Sequence, residues 1–471
     1  MRVASLLTLL GCGDGGSNSP ADADSDSDTD SDTDTSPDLP PWDRGLPGTE
    51  RIDVVRGWAT ARGIIHCHSV YSHDACDGDN TIGGKPNEPC LARFRDAICD
   101  TRQDFVMLTD HDAEMADFPF EDMFLTREDD EAVLDGGVQV ASRIRCEDGP
   151  GTLLFPGAEN AIMPVMLREH PAGNVDARHE AYNTEDPVVA QQFRDQGGLV
   201  LVPHTEHWSI DALRAFGPDG IEIYNLHANI DPDIRSEWLG LDSFGAIGAA
   251  VEYSLADPAP GADLVFLALF EESPTDLDRW DALLEDGPMP GILGTDAHEN
   301  SIPGELGDGE RGDSYRRMMR WFGNYLRVDS IDPDGIKDAL ENGRMYAAFH
   351  AFGVPEGFDF RVETAASTAE MGETSVWEAG ATAHLSVPTV MDLDPTLPAP
   401  EVRATILRVA EGVRETVAGG DEDLAIELDE PGVYRAEIRI VPRHVEPYLL
   451  GYEPELIREV IWVYSGAIRV E

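Results

Sequence analysis

Short apolar runs in this chain repeatedly end in histidine, aspartate or glutamate, and this pattern limits the folds available to it. Six apolar runs are each followed by such residues. They are 62–65 before His66-Cys67-His68, 104–108 before Asp110-His111, 153–155 before Glu159, 165–167 before His170, 198–202 before His204, and 291–293 before Asp296-Ala297-His298. Parallel strands of α/β barrels end at one rim, where these folds place their chemistry. The pattern therefore predicts that these side chains meet at such a rim.

The periodicity of the chain changes near residue 356. Before it, apolar runs alternate with helical patterns at residues 91–99, 187–196, 276–284 and 333–341. Such alternation predicts a parallel α/β sheet or barrel. After it, polar and apolar side chains alternate with period two at residues 383–387, 402–409, 434–440 and 460–464. This second pattern predicts an antiparallel β-sandwich of about six to eight strands.

The N-terminus resembles a bacterial lipoprotein signal. Arg2 precedes an apolar stretch at residues 3–10, and Cys12 follows as the residue that would be acylated. Aspartate then alternates with serine or threonine up to Asp34, a composition that cannot form a packed core. We expect a signal at 1–12, a disordered acidic linker at 13–50, a barrel at 51–352 and a β-sandwich domain at 353–471. The protein is predicted to be exported and lipid-anchored at the bacterial cell envelope, on the outer-membrane or periplasmic side.

The charge balance excludes one class of partner. The formal net charge is −57, and Lys85 and Lys337 are the only lysines. Nucleic-acid binding depends on Lys and Arg neutralising phosphates, so we expect no nucleic-acid partner. No later segment has the roughly 18 uncharged apolar residues of a membrane span, so any membrane attachment would be through the lipid anchor. We expect a small-molecule substrate.

Five cysteines follow Cys12, at positions 67, 76, 90, 99 and 146. In an exported protein, two disulfides among them are expected, with one cysteine left over. Cys76, Cys90 and Cys99 flank a loop rich in Gly, Pro and Asn that needs a covalent staple. Cys67 lies between His66 and His68 on the opposite face of its strand, so it is predicted to be a buried core residue.

The polar residues at the strand ends are those that bind transition metals. Histidines two apart on a strand share a face, and neutral imidazole is a common metal ligand. The candidate ligands are His66, His68, His73, Asp74, Asp110, His111, Glu159, His170, His204, Asp296 and His298. One tetrahedral ion cannot use so many, so the sequence predicts two or three ions. Carboxylates such as Glu159 or Asp296 would bridge ions about 3.5–4 Å apart.

The same residues, in the same order, resemble a known family over about residues 60–300. His66-Cys67-His68 with His73, Leu-Thr-Asp110-His111, Gly-x-Glu159, His170, His204 and Asp296-x-His298 are similar to the polymerase-and-histidinol-phosphatase (PHP) superfamily. The resemblance implies a distorted (β/α)7 barrel with two or three divalent metal ions (Zn, Mn or Fe) at the C-terminal strand ends. It leaves His73 or Asp74 as the ligand after His68; we prefer His73. Glu222 and the C-terminal β domain resemble the branch that includes carbaryl hydrolase.

Several nearby residues have two interpretations. Asp110 could bind an ion, but an orienting contact to an imidazole is preferred. His207, with Glu206, could donate a proton to the leaving group or line the rim, and Glu222 could be catalytic or salt-bridged. His227 and His179 are expected to be ordinary surface histidines. Arg168 is expected in a surface ion pair, and Trp208 and Tyr224 in the core.

The leading hypothesis is a metal-dependent hydrolase, most simply a phosphoesterase, that activates water with its ions. His207 and Glu222 are its candidate catalytic residues. The first alternative is a carbamate, amide or ester hydrolase with the same metal site, since members of the carbaryl-hydrolase branch cleave such bonds. The second alternative is a surface binding protein with an inactive barrel as its scaffold.

Overall fold

The computed structural model describes residues 39–471, which form a mixed α/β fold. Its helices are α1 (Glu88–Asp100), α2 (Asp112–Met115), α3 (Val175–Tyr182), α4 (Pro187–Asp195), α5 (Ile210–Phe216), α6 (Leu226–Ile230), α7 (Pro232–Glu237), α8 (Ser243–Leu255), α9 (Pro274–Leu284), α10 (Tyr315–Trp321) and α11 (Pro333–Glu341). The four helices predicted from the sequence correspond to α1, α4, α9 and α11, and their bounds agree within a few residues.

The strands fall into two groups along the chain. The first group is β1 (Ala59–Cys67), β2 (Thr81–Ile82), β3 (Lys85–Pro86), β4 (Phe105–Met107), β5 (Glu131–Asp135), β6 (Val138–Ile144), β7 (Thr152–Phe155), β8 (Met163–Val165), β9 (Leu199–Val202), β10 (Gly220–Asn225), β11 (Gly291–Ala297), β12 (Gly323–Val328) and β13 (Met345–Ala348). The second group is β14 (Pro355–Glu356), β15 (Asp359–Glu363), β16 (Thr368–Glu370), β17 (Thr374–Ser375), β18 (Thr382–Ser386), β19 (Thr389–Val390), β20 (Glu401–Ala410), β21 (Val413–Gly420), β22 (Leu424–Glu427), β23 (Gly432–Val441), β24 (Val460–Ser465) and β25 (Ile468–Val470).

Six strands of the first group pair in parallel, in the order β7, β4, β1, β11, β10, β9. β8 pairs with β9 antiparallel. Backbone bonds of 2.9 Å, from Ala158 N to Pro164 O and from Leu167 N to Pro156 O, join the segment of β8 to the end of β7. The paired segments therefore follow one another in a closed order. Nearly all residues of the parallel strands are buried, as expected where helices cover a sheet.

Local sequence explains where the covering helices begin and end. In α4, the Asp186 side chain accepts a hydrogen bond from Val188 N, and Pro187 occupies the first turn, where no N–H is needed. Gly197 follows the helix with φ +93°, a conformation that favours glycine. The chain then returns directly into β9.

The C-terminal strands pair antiparallel, as their alternation predicts, except for β17 and β25, which pair in parallel. One sheet has the order β16, β15, β18, β22. A second group, containing β20, β21, β23 and β24, continues the large mixed sheet because β24 pairs with β13. The packing of these sheets as a sandwich and the boundary at 352/353 stay predictions.

Part of the segment expected to be a linker packs against the body. Leu46 is buried, and the Trp42 indole donates to Asp263 Oδ2 at 2.9 Å. The compact unit accordingly starts at Pro40 rather than at residue 51. The expected signal and most of the linker lie outside the described residues. None of the helices within 39–471 has the length and apolarity needed to cross a membrane.

Two disulfides form, Cys76–Cys90 and Cys99–Cys146, and Cys67 is a free, buried thiol. The prediction of two disulfides with Cys67 left in the core is confirmed. The first bridge closes the loop that follows His68. Two backbone bonds of 2.8 Å, from Cys76 N to His298 O and from Asp77 N to Glu299 O, tie that loop to the end of β11.

Candidate metal centre

Side chains from six strand ends meet in one cluster. Four overlapping groups of three offer ligand atoms within 4.8 Å of one another: His68/His111/His298, His66/His68/Glu159, His66/His204/Asp296 and His227/Asp296/His298. Seven of these eight residues are predicted ligands. The sequence thus correctly identified most of the groups that meet here, although their binding of metal stays a prediction.

The Asp296 carboxylate lies at the centre of this cluster. Its Oδ1 is 3.3 Å from His66 Nε2 and 3.2 Å from His68 Nε2. Its Oδ2 is 3.4 Å from His204 Nε2 and 3.2 Å from His227 Nδ1. One carboxylate therefore faces four imidazoles and has an oxygen available for each of two ions.

The far nitrogens of the innermost histidines are held by the protein. His66 Nδ1 lies 2.5 Å from Glu222 Oε1, and His68 Nδ1 lies 3.1 Å from Ser72 Oγ. His298 Nδ1 donates to the backbone oxygen of its own strand end at 2.8 Å. A partner on one ring nitrogen orients the other toward an ion and sets its tautomer.

The outer histidines are held in the same way. His111 Nδ1 lies 2.9 Å from the backbone oxygen of Glu159 and 3.0 Å from its Oε2. His204 Nδ1 lies 3.0 Å from Glu206 Oε1. His111 and His204 are about one-fifth exposed, whereas the inner histidines are buried. The cluster therefore opens to solvent on the side of His111 and His204.

Three inner nitrogens make no hydrogen bond within the protein, although a carboxylate oxygen of Asp296 or Asp74 lies 3.2–3.5 Å from each. Nε2 of His66, His68 and His298 is buried without a hydrogen bond. A buried polar atom left unpaired costs about 1–3 kcal/mol, so three in one cluster call for a common partner. All three point into a space bordered by carboxylates, and imidazole with carboxylate is a ligand set that suits zinc, manganese or iron. The residues present therefore fit divalent metal ions.

The groups limit how many ions they can hold at once. An imidazole nitrogen binds one ion, so two groups that share a histidine cannot both be filled. The four groups form two non-overlapping pairs: His66/His68/Glu159 with His227/Asp296/His298, and His68/His111/His298 with His66/His204/Asp296. Either pair accommodates two ions.

The backbone is strained at three cluster residues. His66, His204 and Asp296 have φ of 68°, 44° and 51°, in the left-handed region that non-glycine residues rarely adopt. Each such residue costs about 1–3 kcal/mol and persists where its surroundings force it, often at functional sites. The β1–β11 register also shifts between Ile65 and Cys67, so a bulge, rather than regular alternation, aims His66.

Electrostatics favour cations in the cluster. Burial by itself would lower the pKa of His66 and His111, but the carboxylates of Glu222, Asp296 and Glu159 outweigh it and raise both pKa values to about 10. Burial, reinforced by neighbouring imidazoles, lowers the pKa of His68 and His298. The carboxylates therefore draw positive charge into the site, while the imidazoles of His68 and His298 stay neutral, as ligands must.

His73 and Asp74 take different places. The Asp74 carboxylate lies 3.5 Å from His298 Nε2 and 3.7 Å from His111 Nε2. His73 is exposed and approaches only the outer face of His111, at 5.4 Å between ring centroids. The geometry favours Asp74 over His73, the opposite of our preference from the sequence.

Asp110 supports the cluster from behind. Its carboxylate accepts hydrogen bonds from Ser69 N at 2.5 Å and from Ser69 Oγ at 2.8 Å. Burial raises the pKa of Asp110 to about 6, although the Ser69 bonds oppose this shift. Asp110 thus fixes the backbone just after His68 and does not face the metal space.

The structure does not bring His170 into the cluster. Its Nδ1 lies 3.1 Å from Tyr182 Oη and its Nε2 lies 3.0 Å from Phe118 O. Both ring nitrogens therefore have protein partners. The segment after β8 turns away from the metal space because β8 is antiparallel to its neighbour β9, which places its C-terminal end at the opposite edge.

His227, expected to be a surface histidine, is a cluster member instead. Its Nδ1 faces Asp296 Oδ2, and its ring lies 5.4 Å from the His298 ring. It stands two residues after β10, a position comparable to His204 after β9. This spacing was the available signal in the sequence.

The two candidate catalytic residues differ in setting. Glu222 is 2 % exposed and bonds His66 Nδ1 and His204 N, so it positions two cluster histidines. His207 is at the rim, where its ring stacks on Trp238 at 3.7 Å, with Nε2 3.8 Å from Glu206 Oε1.

The remaining sequence expectations concern residues outside the cluster. Arg168 forms an ion pair with Asp135 at 2.9 Å near the surface, and Trp208 and Tyr224 are buried among apolar side chains. His179 bonds Asp112 Oδ2 at 2.5 Å. A further acidic group, Asp263/Asp308/Glu310, lies elsewhere, and Arg316 and Arg317 neutralise it.

Remote structural likenesses to known proteins include two solved structures. No protein family model matches this chain, and no curated protein matches it. A two-domain protein from Bacteroides vulgatus ATCC 8482, described as containing a predicted PHP-like metal-dependent phosphoesterase, is 13 % identical with a TM-score of 0.34; 89 % of this chain and 98 % of that chain are covered. PsfC from Pseudomonas syringae PB-5123 is 12 % identical with a TM-score of 0.31, over 57 % of this chain and 82 % of that one.

Proposed function

We propose that this protein is a metal-dependent hydrolase of the PHP type that cleaves phosphoesters. One observation carries the proposal: the unpaired Nε2 atoms of His66, His68 and His298 converge beside the Asp296 carboxylate, with their other nitrogens already held. Carboxylate oxygens lie 3.2–3.5 Å from these nitrogens without hydrogen-bonding them, an arrangement that bound cations would satisfy.

The strand pairing supports a distorted (β/α)7 barrel for this enzyme. The order β1, β4, β7, β8, β9, β10, β11 returns to β1, with β8 as the reversed member. The step from β7 to β8 consists of the two backbone bonds just beyond the end of β7. The cluster lies at the C-terminal ends of the parallel strands, where α/β barrels place active sites.

The cluster residues would hold two divalent ions, and Asp74 lies close enough to contribute a further oxygen. Bound ions would lower the pKa of a water molecule and stabilise negative charge on the reacting group. Two divalent cations would exceed the charge of the three carboxylates that border the metal space, Asp74, Glu159 and Asp296, whereas Glu206 and Glu222 lie behind the histidines. The site would thus attract an anionic phosphoester despite the acidic surface of the protein.

Residues around the cluster orient its histidines, and one of them is placed to transfer a proton. Glu222 holds His66 and the backbone of His204, while Glu206 holds the His204 ring. His207 is 41 % exposed at the rim and 5.9 Å from the His204 ring. We assign to His207 the transfer of a proton to the leaving group, because it is an exposed imidazole next to the cluster and stacking on Trp238 fixes its ring.

Hydrolysis of a carbamate or ester is the second candidate. The exposed Trp238, which stacks on His207 with an angle of 14° between the rings, offers an apolar, flat surface beside the cluster. Such a surface suits an uncharged planar group better than a phosphate.

The test compares metal-free protein with protein reloaded with zinc or manganese on aryl phosphates, phosphodiesters, carbamates and esters. We expect chelation to abolish turnover and either ion to restore it, with phosphoesters cleaved fastest. Asp296→Asn should stay inactive after reloading. The control Asp392→Asn alters an exposed carboxylate paired with Arg51 and should regain activity on reloading. Turnover indifferent to chelation would disprove the proposal, and less than one bound ion per chain would favour a binding protein.

We also propose that the protein is exported and anchored through Cys12. The two disulfides support an oxidising compartment. Wild-type protein should partition into the membrane fraction with a lipid mass on its mature N-terminus, and Cys12→Ser should not. An unprocessed N-terminus on the wild-type protein would exclude this anchor.

A further inference from the structure

His227 lies beside the cluster carboxylate Asp296, in a position that suits a metal ligand, and is not a surface histidine. Its Nδ1 is 3.2 Å from Asp296 Oδ2, and its side chain is 17 % exposed. Asp296, His298 and His227 offer three ligand atoms within 4.8 Å of one another. His298 supplies a buried Nε2 that makes no hydrogen bond, with Asp74 Oδ1 3.5 Å away. An unpartnered nitrogen beside a carboxylate and a second imidazole is an incomplete set that a cation would complete.

Local structure fixes the position of His227. Asn225 begins α6, because its side-chain oxygen accepts a hydrogen bond from Ala228 N at 2.8 Å. The Nδ2 of the same amide lies 3.2 Å from Glu222 Oε2 and 3.4 Å from Asp296 Oδ2. The residue that starts the helix thus also contacts the carboxylates of the cluster, so the first turn of α6 holds His227 toward Asp296.

A second ligand set follows from the same geometry. When His227, Asp296 and His298 bind one ion, the His66/His68/Glu159 group shares no residue with them and remains free for another. His170, which the sequence suggested for the centre, has both ring nitrogens bonded to Phe118 and Tyr182.

We propose that His227 is a metal ligand, binding with Asp296 and His298 one ion of a two-ion centre whose other ion is bound by His66, His68 and Glu159. The inference rests on the proposed function only in taking the cluster to be a metal site. It extends that function by assigning an imidazole from the start of α6 to the centre.

The opposite interpretation is a hydrogen-bonded pair in which His227 merely donates to Asp296. His179 provides a matched example of that case, since its Nδ1 bonds Asp112 Oδ2 at 2.5 Å and it belongs to none of the candidate ligand groups found within residues 39–471. Removal of a ligand should lower ion occupancy, whereas removal of a hydrogen-bonding partner should affect mainly the stability of the fold.

The experiment titrates metal-free full-length protein with Mn²⁺ and counts bound ions by equilibrium dialysis and elemental analysis. Wild type and His179→Gln are expected to bind two ions, and His227→Gln to bind one ion tightly and the second at least about tenfold more weakly. His227→Asp, which supplies an oxygen ligand suited to manganese, should restore the second ion. Thermal unfolding of every metal-free variant checks that it folds.

Electron paramagnetic resonance gives an independent readout. Two Mn²⁺ ions about 4 Å apart should give a spin-coupled signal in the wild type, and His227→Gln should give the six-line signal of an isolated ion. Two ions bound to His227→Gln with wild-type affinity would overturn the inference while leaving the hydrolase proposal intact. Two ions in the wild type without turnover of any ester would overturn the hydrolase proposal alone, and a wild type that binds no Mn²⁺ or Zn²⁺ would overturn both.

Discussion

The Glu222 carboxylate lies 2.5 Å from Nδ1 of His66, although 156 positions separate the two residues in the chain. This contact turns the unpaired Nε2 of His66 toward Asp296. Outer carboxylates of this kind usually change metal affinity or activity by about 10–100-fold when they are removed. Glu222→Gln should therefore weaken ion binding within that range, as measured by titration with zinc.

A control for Glu222→Gln is Glu437→Gln, which alters a buried carboxylate paired with Arg435 in the C-terminal sheet. This control should leave ion affinity at the wild-type value. Equal ion affinity in Glu222→Gln and wild type would show that the His66 contact has no orienting role.

Gly294 is the position on β11 that makes room for this contact. A methyl group there would lie 1.8 Å from Glu222 Oε1 and 3.2 Å from His66 Nδ1. Gly294→Ala must push the pair apart, and overpacking of this kind costs about 1–3 kcal/mol. We expect a lower melting temperature and weaker ion binding. Gly287→Ala, at a site with nothing within 4 Å, should change neither, and a Gly294→Ala protein with normal ion affinity would contradict the prediction.

His170→Gln separates stability from metal binding. The substitution disturbs the bonds to Tyr182 Oη and Phe118 O in a mostly buried setting, which should cost about 1–3 kcal/mol. Denaturant unfolding should show this loss while dialysis finds the wild-type number of ions. Loss of an ion from this variant would restore His170 to the ligand set.

Ion uptake should release protons. In the metal-free protein the pKa values of His66 and His111 are raised to about 10, so both are protonated at pH 7 and must lose a proton to bind an ion. Affinity should therefore rise with pH up to about 10. Calorimetry in buffers of different ionisation enthalpy measures the number of protons released. An ion affinity that does not change with pH would contradict the prediction.

The same raised pKa values also affect the stability of the metal-free fold. Its stability should fall with rising pH, whereas ion affinity should rise. Groups whose folded pKa exceeds the ordinary value near 6.5 stabilise the fold fully below pH 6.5 and lose that contribution as the pH approaches 10. The free energy of unfolding of metal-free protein should decline over this interval. Denaturant titrations at several pH values test this, and constant stability between pH 6.5 and 10 would disprove it.

The two disulfides should differ in their effect on the site. Cys76–Cys90 closes a 14-residue separation beside His298, and Cys99–Cys146 closes a separation of 47. Loop entropy predicts losses of about 3 and about 4 kcal/mol when each pair is changed to serine. Only the Cys76/Cys90 variant should also bind ions more weakly, because Cys76 stands two residues after Asp74 and its backbone N–H donates to the His298 oxygen. Equal ion affinity in both variants would rule out that link.

Local patterns explain what could be predicted of the fold. Helices α4 and α11 begin at a capping aspartate followed by proline, which are short-range signals. The pairing of β13 with β24 joins residues more than a hundred positions apart, and no local pattern specifies such a partner. For that reason the division into two domains could be proposed from the sequence, but the continuous sheet across it could not.

The sequence by itself determined which side chains could form the centre, because apolar runs that end in His, Asp or Glu already imply buried strands with polar ends. Only the tertiary structure decided that His227 and Asp74 join the cluster while His170 and His73 do not. The physical reason is that side-chain direction beyond a strand end depends on loop paths, bulges and left-handed residues such as His66. Long-range packing sets those features, and sequence periodicity does not encode them.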